Sequence, residues 1–172
     1  MPFGFKLRLD RGEINHWTDR YDIAKDAVVD GDEFRGHAKT HGYFSKNHLL
    51  RIAHWKSPRS AGRCEDNDED FVRAVTATAF STTNEKLRIE VLTLLCGVDW
   101  PTASVILHFC AIDEYPILDF RALWSLTMDV PKVYDFEFWW DYTRFCRRLA
   151  EETGVTMRDL DRALWQFSKE NQ

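Results

Sequence analysis

Apolar positions along this chain recur mainly at helical spacing, three and four residues apart. Trp17 to Val29 reads as a first helix, ended by Asp30-Gly31-Asp32, and residues 31–44 read as a loop containing glycine and histidine. Ser45 caps a helix bearing Leu49, Leu50, Ile52 and Ala53, stopped before Pro58. Asp66 to Asp70 suit the first turn of another, running to about Phe80. Thr83 or Asn84 opens the next, in which Leu87, Val91, Leu94 and Leu95 form one apolar face up to Cys96. Gly97 supplies the freedom of a tight helix exit, and Pro101 suits a following first turn. Ala103, Val105, Ile106, Leu107, Phe109 and Cys110 are apolar almost all round, so their helix is central and buried.

Downstream, a short helix runs from Asp119 to Met128 and is broken by Pro131. Phe136, Trp139, Trp140 and Leu149 put an aromatic face on a helix ending near Gly154. Thr156 and Asp159 form a variant capping box for a last helix, with Met157, Leu160, Leu164 and Phe167 as its stripe. Only Phe3 to Leu9 alternates, as a short strand or an extended arm. The expectation is an all-α, single-domain helical bundle over residues 1–172.

The segment 85–110 followed by 115–126 carries the most specific signal. Leu95, Gly97, Val98 and Ala103 are followed by Asp119, which stands 22 residues after Gly97 with Pro116 three residues ahead of it. This arrangement resembles the helix-hairpin-helix (HhH-GPD) superfamily of DNA glycosylases, whose pattern is Leu-x-Gly-Val-Gly-x-x-x-Ala and then Pro-Val-Asp. The resemblance implies a hairpin at Gly97, Val98 and Asp99 that offers backbone N–H groups to a DNA phosphate. It implies Asp119 as the catalytic carboxylate, stabilising an oxocarbenium-like sugar and orienting the attacking water. The substrate is then DNA with a damaged or modified base, and the setting base excision repair.

The chain departs from that pattern twice. Asp99 stands where the family has its second glycine, and its carboxylate occupies and repels the anion site. Pro101 stands where bifunctional members carry a lysine nucleophile, and proline forms no Schiff base. The resemblance therefore implies a monofunctional hydrolase. A base flipped from the stack needs an aromatic pocket, for which Trp124, Trp139, Trp140 and Tyr142 are the candidates. Arg121 either faces phosphate or pairs with Asp119, and a purely structural Asp119 would cap the helix beginning at Phe120.

Charge adds a second nucleic-acid signal. The net charge is −5, yet Phe34 to Arg63 holds seven Lys or Arg and no acid, interleaved with Tyr43, Phe44 and Trp55. Lys46, Arg51, Lys56 and Arg59 are its candidate phosphate contacts; the alternative is a solvated cationic face. Five acids follow at once between Glu65 and Asp70. Asp66, Asp68 and Asp70 mimic a calcium loop, but the glycine is missing and Ala77 replaces the bidentate glutamate.

His37, His41, His48, His54 and Cys64 match no zinc spacing, and no phosphate-binding glycine loop or nucleophile elbow is present. No metal or cofactor is expected. Cys64, Cys96, Cys110 and Cys146 are widely spaced and read as reduced core thiols of a cytoplasmic protein, nucleoid-associated if it binds DNA. No apolar run reaches membrane-span length, and no membrane partner is expected. Two further readings stay open: a catalytically silent module binding nucleic acid or protein, and a hydrolase of small modified nucleosides or nucleotides.

Overall fold

The structure, a computed structural model, describes residues 3–172. Among these residues 67% are helical and none forms a strand, so the chain is all-α as its periodicity predicts. It gathers into two compact units, residues 3–22 with Glu114–Gln172 and, separately, Ile23–Asp113.

In the first unit, α1 (Ile14–Asp19) packs on the C-terminal helix, a shorter helix than the sequence suggests for Trp17 to Val29. Asp10 caps the single 3-10 turn before it by accepting from Gly12 N–H, so helix starts earlier than Trp17. The chain leaves it at Arg20, and only a 3-10 turn, Ile23–Asp26, follows.

After that turn, which opens the second unit, comes a helix where a loop is expected. In α2 (Gly31–His41), the Asp30 carboxylate accepts from Asp32 and Glu33 N–H, and Phe34 and Ala38 are buried one turn apart. Gly42, at φ +76°, closes it. Two glycines and two histidines disguise this element; its cap and apolar pair outweigh them. Next come α3 (Lys46–Lys56), capped by Ser45, the short α4 (Pro58–Ala61) and α5 (Glu69–Ser81). Asn84 caps α6 (Glu85–Leu92), and α7 (Trp100–Cys110) is buried from Thr102 to Cys110. Both α2 and α3 pack on α7, the centre of this unit.

The buried stripe of α6 differs from the expected one. Arg88, Ile89 and Leu92 face inward, whereas Leu94 is 63% exposed and Leu87 is also exposed; Leu95, just beyond the helix, is buried as expected. Arg88 explains the shift: its guanidinium donates to Ala79 and Thr82 carbonyls at the end of α5, which fixes that face inward. The long aliphatic stem of an arginine lets it occupy a core position while satisfying orphan carbonyls.

Beyond Glu114 the first unit resumes with α8 (Phe120–Ser125), α9 (Phe136–Thr153) and α10 (Met157–Asn171). α8 ends before Met128 because Thr127 takes a positive φ of 58°. The segment before Leu9 is an extended arm, not a strand: Lys6 and Arg8 N–H donate to Leu126 and Ser125 carbonyls. Gly154 ends α9 in the left-handed conformation, and Thr156 caps α10 by accepting from Asp159 N–H. α10 packs on α1, α8 and α9, burying Met157, Leu160, Ala163 and Leu164. No helix among the described residues is long and apolar enough to cross a membrane.

Candidate catalytic carboxylate and hairpin

Asp119 is the N-cap of α8, with Oδ1 accepting the Arg121 N–H at 2.9 Å. The residues before it, Tyr115 to Leu118, are buried, and Asp119 itself is half-buried. Extended backbone at Asp119 (φ −141°, ψ 143°) turns there into helix, so the carboxylate is held at the edge of the packed core. An N-cap carboxylate hydrogen-bonded to the helix start has little rotamer freedom. Such a group can stabilise positive charge or orient a water.

The aromatic candidates around it separate. Trp139 has no exposed surface and stacks on Tyr115 at 5.7 Å, and Tyr142 is equally buried, its hydroxyl donating to the Ile117 carbonyl at 2.7 Å. Burial pushes the Tyr142 phenol well above its ordinary value, with nearby carboxylates, Asp119 among them, adding to the rise. Both are corrected to structural roles: they support the extended approach to Asp119 from behind and offer no face to a ligand. Trp124 and Trp140 are half-exposed. Arg8 lies 4.5 Å over the Trp124 ring, and Phe136 and Arg147 both contact the Trp140 ring. Arg121 serves Asp119 through its backbone, while its guanidinium lies over the Phe120 and Trp165 rings.

The hairpin belongs to the other unit, and its geometry is tightly determined. Gly97 has φ +78°, and a Cβ there would stand 2.7 Å from Cys64 Sγ and 2.9 Å from Cys64 N. Asn67, buried, fastens the same junction. Its Nδ2 donates to the Cys64 and Cys96 carbonyls, and its Oδ1 accepts from Cys96 N–H at 2.8 Å. Val98 is buried, and exposed Asp99 caps α7 with Oδ1 accepting from Thr102 N–H at 3.1 Å. Pro101 lies in the first turn of α7. Arg63 and residues 93–99 line a recess of about 330 Å³ at this turn.

Asn67 and Arg63 therefore belong with the hairpin. Sequence spacing does not reveal them, because they reach it from the segment before α5. Cys96 is exposed beside the turn, against the expectation of four core thiols; Cys64, Cys110 and Cys146 are buried.

The basic segment is partly neutralised. Arg51 donates both guanidinium nitrogens to Glu33, at 2.7 and 2.8 Å, and packs over Phe34, so its charge is already engaged in an ion pair. The Lys46 ammonium donates to the Glu65 carbonyl. Lys56 is half-buried, and Arg59 and Arg63 are exposed. The His37 ring lies tilted against those of His41 and His48, with ring centroids 4.3 and 4.2 Å apart. No group of three His, Cys, Asp or Glu side chains among the described residues could hold a metal ion.

Comparison of the chain with protein-family models, with curated proteins and with solved structures finds no match in any of the three.

Proposed function

We propose that this protein is a monofunctional, glycosylase-like hydrolase that cleaves the N-glycosidic bond of a damaged or modified base in DNA, in the manner of helix-hairpin-helix glycosylases. The observation that carries this reading is the helix-capping, half-buried Asp119 carboxylate at its motif distance from Gly97. In this mechanism the carboxylate stabilises the developing oxocarbenium ion and directs water to the sugar carbon. The glycosidic electron pair leaves with the base, and the water's proton passes to the carboxylate or the departing base. Pro101 provides no amine, so the product is an abasic site with an unbroken strand.

The test is Asp119→Asn assayed on oligonucleotides carrying alkylated, deaminated or oxidised bases, with alkali to reveal abasic sites. Asparagine retains the helix cap, so the fold should persist while excision falls by about 10²-fold or more. Excision at the wild-type rate would overturn the assignment of Asp119.

One observation favours a second reading, a catalytically silent nucleic-acid- or protein-binding module. Asp99 places a carboxylate at the α7 N-terminus and satisfies Thr102 N–H itself. A phosphate approaching that helix end meets negative charge before it meets backbone donors.

A further inference from the structure

We propose that the recess formed by α2, the end of α5 and the end of α7 is a binding site for a medium-chain carboxylate, an aliphatic body with one anionic end. It encloses about 380 Å³, within the roughly 300–1,000 Å³ of small-molecule sites. Ala38, Phe80, Ala111 and Ile112 supply apolar wall, and the Cys110 thiol adds to it. Phe80 is braced edge-on against Phe44 at 5.6 Å, which makes that wall rigid. Burial raises Cys110 well above the ordinary thiol value, so it is a protonated, apolar surface group and no nucleophile.

The polar groups set the class of ligand. Arg35 and Lys39 both line the recess, and no acid is among its described lining residues. They stand four residues apart on α2, close enough to share one carboxylate. Both are exposed, so the charged end stays at the mouth while the chain lies inward. Ile112 gives the independent signal. It borders an apolar recess, yet the residue is 94% exposed. An aliphatic chain lying in the recess covers it and removes that apolar surface from water. This site lies wholly within the unit Ile23–Asp113 and does not depend on the role of Asp119.

Decanoate, used below its micelle concentration, tests the proposal by calorimetric titration of the full chain, with amide shifts reporting the location. Saturable binding is expected, with shifts centred on Ala38, Ala111 and Ile112. Decanol, lacking the charge, should bind at least tenfold more weakly. Ile112→Asp changes an exposed position and sets an acid at the mouth, and Lys39→Glu reverses a rim charge. Each should weaken decanoate at least tenfold with an unchanged melting temperature of the free protein. Absence of saturable binding, equal affinity for decanol, or wild-type affinity in both variants would overturn the proposal. So would a leucine-terminated peptide that occupies the recess when decanoate does not.

Discussion

At Gly97 two constraints act on one residue. The φ of +78° disfavours any Cβ, and the space a Cβ needs is taken by Cys64. A left-handed β-carbon costs about 1–2 kcal/mol, and forced overpacking about 1–3 kcal/mol. Gly97→Ala should therefore destabilise the protein by about 2–5 kcal/mol. Gly36 is the contrast: it sits inside α2 with nothing near its Cβ position. Gly36→Ala should stabilise by about 0.5–1 kcal/mol through lower unfolded-state entropy and better helix propensity. Urea midpoints of the two variants, measured side by side, check both signs. The need for glycine at 97 was legible from the turn; the crowding by Cys64 was not, because it comes from a segment more than thirty residues earlier. Asn67, which fastens Cys64 to Cys96, was hidden for the same reason.

Helix boundaries were legible wherever a side chain caps the end, as at Ser45, Asn84 and Thr156. They were misread where composition and cap disagree. Residues 31–41 have a loop-like composition, but Asp30 satisfies two N–H groups and Phe34 and Ala38 anchor the face. That helix carries His37, whose ring touches His41 and, on α3, His48. Burial, then the neighbouring His41, lowers His37; burial, then His37, lowers His48. Glu33 raises both, Arg73 lowers His37, and around His48 Arg51 lowers and Glu69 raises. The net shift is downward, so the folded state binds protons at both rings less readily than the unfolded chain does. Below the ordinary histidine value of about 6.5 the unfolded chain takes up protons first. Stability should be full above that pH and fall as pH descends from it to the depressed folded values. Urea midpoints between pH 8 and pH 5 check this, and His37→Gln should flatten the decline. A second test at this scale concerns α7. Asp99→Gly removes the cap, at a cost of a few tenths of a kcal/mol, and clears the carboxylate from the helix end. If Asp99 blocks phosphate there, duplex DNA should bind about tenfold more tightly, the size expected of one charge-assisted contact. Fluorescence anisotropy at two salt concentrations reads the change; unchanged or weaker binding would tell against the silent reading.

Across the whole molecule the net charge of −5 repels a polyanion, so any DNA contact has to be local. The seven cations between Phe34 and Arg63 looked interchangeable in sequence, because linear spacing carries no information about which acid folds against which base. The fold divides them. Glu33 lies just outside the segment yet holds Arg51 with both oxygens, and Lys46 is turned to the Glu65 carbonyl. Arg35, Lys39, Arg59 and Arg63 stay exposed; the first two line the α2 recess, and Arg63 lines the hairpin recess. A phosphate surface on this unit would therefore use Arg59 and Arg63 and leave Arg51 in its ion pair. Substituting both by Gln should weaken duplex binding and reduce the slope of log K against log salt by about 2, close to one for each phosphate left without its arginine. Stability should stay within about 0.5 kcal/mol of wild type, since both are surface residues. Arg51→Gln should do the reverse. It strips Glu33 of its partner and uncovers Phe34, lowering the urea midpoint while leaving the salt slope almost unchanged. A salt slope that ignores Arg59 and Arg63 but responds to Arg51 would place the DNA contact elsewhere in the molecule. No salt-dependent binding by the wild type would remove DNA as the partner and leave the protein-binding or small-nucleoside reading in its place.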